Sequence, residues 1–332
     1  MPFAVHSQTH PDIRGLDPTV YVLEDGAGGR AEIWPALGFN CYCWQVQHGG
    51  QPLELLYQAP DLFHDGRPTR SGIPVLFPFP NRIRDGRFTW DGKEYQLPLN
   101  DPAKKNAIHG FACRHPWRVA ASGADANGAW ITGVFRCSQD APDSRPLWPA
   151  DHEIRLTYRL GSGSLRLEAE IHNPDRLPLP FGLGYHPYFR IPFTAGNGDD
   201  CLLTTPARSV WKLEESLPTG ERLPIDATCD LNRPRRFGDL HLDTVLTDLP
   251  PPTGALPERG VVRGAPDTAL RLHWGEEFRE IVVFTPPHRQ AFCIEPYTCT
   301  TDAINLQAHG IDAGWRLLPP GGNWQAVVEM RI

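Results

Sequence analysis

Proline and glycine, 35 and 31 of 332 residues, take one position in five and are spread so widely that few windows remain for a long helix. Proline removes a backbone donor and clashes with the preceding helical turn, and glycine costs about 1 kcal/mol relative to alanine inside a helix. Short strands joined by tight turns are then the way to bury a core. The apolar pattern agrees. Leu165, Leu167, Ala169 and Ile171 alternate with Arg166, Glu168 and Glu170, facing residues 154–160 across Gly161-Ser162-Gly163. Period two with one wet face is the mark of an antiparallel sheet. Residues 87–90 and 93–97 are joined by Asp91-Gly92, a strong hairpin signal, and residues 20–23 and 30–34 flank Gly26-Ala27-Gly28-Gly29. Further strands are expected at 38–46, 130–135, 269–274, 281–284, 292–295 and 326–330. The one helical candidate is 302–308, with Thr300 or Thr301 as its N-cap. The proline-rich stretches 142–149 and 249–257 read as surface loops, since strand-like sequence resumes after each. The expectation is an all-β chain of two large, mainly antiparallel sheets packed face to face, one domain over 1–332 with residues 1–15 as a loosely ordered tail.

A net charge of −7 argues against a nucleic-acid partner, which needs a basic face. No apolar run approaches the roughly 20 residues of a spanning helix, and the first fifteen residues lack the apolar centre of a signal peptide. Eight scattered cysteines without a Cys-x-x-Cys pair form neither a zinc framework nor a disulfide scaffold. These features predict a cytoplasmic protein with reduced thiols and no membrane partner. They leave open whether it is a monomer or a homodimer.

Four segments combine reactive groups with residues that constrain the backbone. In Phe-Gly-Leu-Gly-Tyr-His-Pro-Tyr-Phe (181–189), Pro187 pushes His186 out of helical conformation, and the glycines permit close backbone approach. His186 is expected to end a strand or sit on a bulge. Tyr185 and Tyr188 read equally as ligand wall or as core. Three prolines in 72–83 make a rigid lead that fixes where Asn81 and Arg82 point. His109 precedes Gly110 on a loop with room for a ligand. The apolar strand 292–295 delivers Glu295 directly before Pro296, where a carboxylate is either salt-bridged or functional.

Taken together, GIPVLFPFPNRI (72–83), IHGF (108–111), GYHPYF (184–189), LPTGE (217–221), Leu242-Asp243 and EPYTCTTDAINL (295–306) resemble, in order, the aldose 1-epimerase (galactose mutarotase) family. The resemblance implies a β-supersandwich and cofactor-free interconversion of the α and β anomers of a free aldose. It also implies Glu295 as general base and His186 as general acid. Arg82, His109, Asp243 and Asn81 would bind the monosaccharide. Asn81-Arg82-Ile83 is more similar to the free-sugar branch than to glucose-6-phosphate 1-epimerases, and an enzyme like the latter is the alternative within the family. Thr-Val-Leu after Asp243, and Pro-Pro-His-Arg-Gln at 286–290, depart from the family where the distal sugar would lie.

The chemistry suits these residue types on its own terms. Opening a hemiacetal removes a proton from O1 and gives one to the ring oxygen, so an acid and a base must flank one carbon. Three other readings remain on the sequence alone. His109, His186 and Glu295 have the makeup of a two-histidine, one-carboxylate metal site, although no short ligand spacing joins them. A carbohydrate-binding module without turnover would keep the same pocket. Glu295 and Asp243 would be the acids of an inverting glycosidase.

Overall fold

The computed structural model describes residues 2–264 and 268–332. Strands dominate, and the longest α-helix among these residues, Ala303–Ala308, has six residues. The expected hairpins form: Arg87–Trp90 pairs with Lys93–Gln96, Thr19–Glu24 with Arg30–Trp34, and Glu153–Gly161 with Ser164–His172.

Two large antiparallel sheets carry the architecture, one of nine strands and one of eight. The central strands of the nine-stranded sheet are Ser164–His172, Asn323–Arg331 and Ala269–Trp274; those of the eight-stranded sheet are Glu280–Phe284 and Ala291–Tyr297. Leu167, Leu272, Trp274, Val328 and Met330 of the first oppose Tyr185, Ile294 and Pro296 of the second across a narrow apolar seam. A third sheet of five strands, from Ala4–Thr9 to Gln51–Glu54, lies against the edge of the nine-stranded sheet.

Two expectations are corrected. Ala4–Thr9, within the stretch read as a loose tail, is an edge strand paired with Thr19–Glu24 from Ala4–Glu24 to Thr9–Thr19. An edge strand is held by backbone bonds and can be polar in sequence, so His6, Ser7 and Gln8 hid it. The helix N-cap is Asp302, in left-handed conformation at φ 57°, while the hydroxyls of the buried Thr300 and Thr301 have no partner. Asp302 is committed elsewhere. Its N–H donates to the Arg82 carbonyl at 2.8 Å and its carboxylate accepts from the Arg84 N–H at 3.0 Å, which ties the helix to the segment that carries Arg82.

Strand parity decides where the chemistry lies. In Ala291–Tyr297 every residue is buried, but Ile294 and Pro296 face the inter-sheet seam while Glu295 and Tyr297 face the opposite side. The neighbouring strands repeat the pattern, with Val282, Phe284 and Asp243 on the outer side. That outer face is roofed by loops from the first third of the chain. They dock through backbone bonds, Gly182 N–H to Pro78 O at 2.7 Å and His186 N–H to Pro74 O at 3.1 Å, and are tied to each other by His109 N–H to Asn81 O at 2.8 Å.

Gly110 shows how tightly the roof is seated. It has φ 63°, and a Cβ there would overlap the Phe77 carbonyl. Gly110→Ala should therefore cost about 1–2 kcal/mol for the left-handed backbone plus roughly 1–3 kcal/mol for the overlap. Gly92→Ala, at φ 73° in open space, should cost only the first. Thermal melts of the two variants side by side would read the difference.

Candidate active site

The roofed face encloses a cavity of about 690 Å³, within the size range of small-molecule sites. Asn81, Arg82, His109, His186, Asp243 and Glu295 all line it, so all six residues singled out from the sequence meet in one place.

Glu295 and His186 are the deepest pair. Glu295 Oε1 lies 3.3 Å from His186 Nε2, and both residues are buried. Glu295 Oε2 accepts a 2.6 Å hydrogen bond from the Tyr297 hydroxyl. Sequence reasoning gave Tyr297 no role. Its signal was the period of the strand, since residues two apart share a face.

The same rule settles the two tyrosines beside the histidine. His186 sits between the strands Gly184–Tyr185 and Tyr188–Arg190. Tyr185 turns into the seam between the sheets, and Tyr188 turns to the cavity, its ring stacked on the imidazole at 4.5 Å and 9°. Close approach explains Gly184, where a Cβ would come within 2.6 Å of the Tyr297 ring. The Tyr188 hydroxyl donates to Thr69 O at 2.7 Å, so toward His186 Nε2, 3.4 Å away, it is left to accept. With Glu295 Oε1 on the same side, a carboxylate at Glu295 accepts from Nε2–H, and moving that proton to Oε1 leaves Nε2 bare.

Electrostatics push both members of the pair toward neutrality. Burial raises the Glu295 carboxyl well above the ordinary carboxylate range. The Tyr297 hydrogen bond and Arg82 oppose this, and Asp243 adds to it. Burial takes His186 down to about 3. The uncharged pair and the carboxylate–imidazolium pair hold the same number of protons, and one transfer across 3.3 Å connects them.

The remaining residues form a polar ring around the pair. His109, at φ 67°, meets His186 edge-on at 5.6 Å. Burial, then His186, Arg114 and Arg82, hold it well below its usual value, and its buried Nδ1 has no partner among the described residues. Arg82 donates to Asn81 Oδ1 at 3.1 Å and lies 3.5 Å from Asp101. Asp101 was not visible in the sequence, because nothing local marks a loop aspartate that turns inward. Burial raises its carboxyl, but hydrogen bonds from Asn106 and Lys105, with Arg82, bring it below the ordinary range. Asp243 faces the cavity openly, and the walls around it raise its carboxyl against the pull of Arg82.

Two segments named in the resemblance lie elsewhere. Glu221 is an exposed edge residue 3.0 Å from Lys212. Residues 286–290 are absent from the cavity lining: His288 stacks on Tyr57 at 4.6 Å and Arg289 donates to Leu240 O and Phe237 O. Their departure from the family pattern is thus spent on anchoring a loop. The donor atoms that converge as a metal site would require belong to His186, Cys293 and Glu295, without His109. Burial pushes the Cys293 thiol well above its usual value, which disfavours the thiolate that binds metal.

A family model described as aldose 1-epimerase matches residues 19–331. The uncharacterized protein YihR of Escherichia coli K12 is 26% identical over 278 residues, 80% of this chain and 83% of that protein. Galactose mutarotase of Rattus norvegicus is 31% identical over 164 residues, so the match spans 48% of this chain and only 44% of the rat protein. Among solved structures, a galactose mutarotase-like protein from Clostridium acetobutylicum superposes with TM-score 0.85 at 22% identity, over 99% of this chain and 98% of that one. Galactose 1-epimerase from Lactobacillus acidophilus gives 0.74 at 18% identity, with the same two coverages. At such identities the structural likeness is one of fold. Among the described residues no helix is long and apolar enough to cross a membrane.

Tyr297→Phe removes the hydrogen bond that stabilises the Glu295 carboxylate. A hydrogen bond to the charged form lowers a carboxyl pKa, so its loss should raise it. The Glu295 titration, followed by carboxyl NMR, should move to higher pH in this variant, and an unmoved titration would remove Tyr297 from the site.

Proposed function

Because the chain belongs to the aldose 1-epimerase family, we propose that it interconverts the α and β anomers of a free aldose, one whose C1 hydroxyl is unsubstituted. The observation that carries the reading is the Glu295–His186 contact at the floor of a sugar-sized cavity. Glu295 takes the proton of the O1 hydroxyl while His186 gives a proton to the ring oxygen, and the C1–ring oxygen bond opens. Rotation about C1–C2 presents the other face of the aldehyde. Reclosure reverses both transfers and restores the pair. The pair enters the step as carboxylate and imidazolium, reached from the uncharged pair by one proton crossing the 3.3 Å contact, and the two transfers with the sugar leave it uncharged, the form that burial favours.

Arg82, His109, Asn81 and Asp243 hold hydroxyl groups around the ring. Asp243, on the open side of the cavity, serves the end remote from C1. Tyr188 fixes the plane of the imidazole, and Tyr297 fixes Glu295. Eight free, buried cysteines support a reducing compartment, and we assign the protein to the cytoplasm. A binding module without turnover would use the same ring of polar groups, but it has no use for an acid and a base at hydrogen-bond distance.

Polarimetry on freshly dissolved α-D-glucose and α-D-galactose should show accelerated mutarotation. Glu295→Gln and His186→Ala should each lower kcat by about 10²- to 10⁴-fold, whereas Asp243→Ala should act mainly on KM. Comparable small effects of all three would refute these roles, and a lack of acceleration across an aldose panel would leave the binding module. The rate should also be bell-shaped in pH. A further proton goes to His186, whose lowered pKa sets the acid limb below the usual histidine value. Loss of the pair's proton follows Glu295, whose raised pKa sets the alkaline limb above the usual carboxylate range. Overnight chelation should leave the rate unchanged.

A further inference from the structure

The charges around the cavity exceed what the chemistry at its floor uses. Five cationic side chains line it, Arg67, Arg70, Arg82, Lys104 and Arg114, in a chain whose net charge is −7. Three have carboxylate partners. Arg67 and Arg70 lie 2.7 and 3.1 Å from Asp65, Arg70 also lies 2.9 Å from Asp61, and Arg82 faces Asp101 at 3.5 Å. Arg114 and Lys104 form no ion pair among the described residues. Asp243 and Glu295 also line the cavity, but neither pairs with Arg114 or Lys104 among the described residues.

The position of Arg114 matters as much as its charge. Arg70 and Arg114 end two short 3-10 turns, Pro68–Arg70 and Ala112–Arg114, which pack against each other. The first turn is tied to Tyr188 through Thr69 O, and Tyr188 stacks on His186. The second follows His109, whose ring meets His186. Both turns therefore wall the imidazole side of the cavity. In the proposed reaction that side holds the ring oxygen. The ring oxygen is bonded to C5, so the substituent on C5 leaves the sugar toward the same wall.

We infer that the aldose this cavity takes carries an anionic group, a carboxylate or a phosphate, on the side of C5, with Arg114 as its main cation and Lys104 as a second. The inference rests on the anomer-exchange reading and adds the substrate class. A guanidinium is suited to the role, because its planar fork matches both carboxylate and phosphate oxygens. Arg70, held by two aspartates, stays in place as a neutralised wall, while Arg114 is free to turn to a ligand.

Calorimetric titration of the full chain with glucose, glucuronate and glucose 6-phosphate tests this. At least one anionic sugar should bind about 10-fold or more tighter than glucose, the gain of a charge-assisted hydrogen bond, and which one does so identifies the anion. The preference should shrink with added salt, vanish in Arg114→Glu and largely survive in Arg114→Lys. Arg114→Gln serves the same purpose if the charge reversal does not fold. Equal binding of the three sugars, or a preference that Arg114→Glu leaves intact, would overturn the inference. Anomer exchange of each sugar, followed by NMR in the same samples, keeps the two proposals apart. Turnover of glucose without an anionic preference removes only the subsite, and an Arg114-dependent preference without any exchange removes only the catalytic reading.

Discussion

A carboxyl group on a strand buried on both faces is the constraint on which the site depends. Glu295 is 1% exposed, and an unpaired carboxylate at that depth costs several kcal/mol. It is satisfied by the Tyr297 hydroxyl and by His186, and each partner is fixed in turn by the fold. Tyr297 shares its strand. His186 is set by a chain segment that glycines bring close to that strand and that bonds to the roof loops. Loosening either contact would strip this buried carboxyl of one of its two partners.

A second buried glutamate shows what makes Glu295 different. Glu280 lies on the neighbouring strand, opposite Tyr297, and is 0% exposed. Burial raises it to about 7, against hydrogen bonds from Thr247 and Trp211 and the nearby Arg279. The Trp211 indole N–H donates to it at 3.0 Å, and the Arg279 guanidinium stands 3.5 Å away. Glu280 has no place in the cavity lining. A perturbed carboxyl is therefore an insufficient mark of function; its meeting with a histidine and an open cavity separates Glu295 from a structural acid.

Much of the site could be read before any tertiary information, because its residues sit in segments whose proline and glycine content is unusual for a plain strand. His186 before Pro187, Glu295 before Pro296, and His109 before Gly110 each combine a reactive group with a constrained backbone. Tyr297 and Tyr188 follow by parity once the strands are accepted. Asp101, Lys104 and Arg114 carry no such mark. They come from loops whose composition is ordinary, and only the docking of those loops on the outer face of the eight-stranded sheet turns them inward. The helix cap failed for a related reason: Asp302 is occupied by the backbone of residues 82–84, more than two hundred positions away in sequence.

What the sequence determined by itself was the strand-rich class, the hairpins and the constrained segments in which the candidate residues lie. Proline and glycine exclude long helices, a two-residue Asp-Gly turn fixes its own register, and period two assigns each side chain to a face, all of them effects that act over a few residues. Tertiary structure alone decided which face is the cavity, that His186 reaches Glu295 at 3.3 Å, and which cations are left unpaired at the rim. Those outcomes depend on contacts between segments from both ends of the chain, and the balance of burial and charge at such contacts has no local signature.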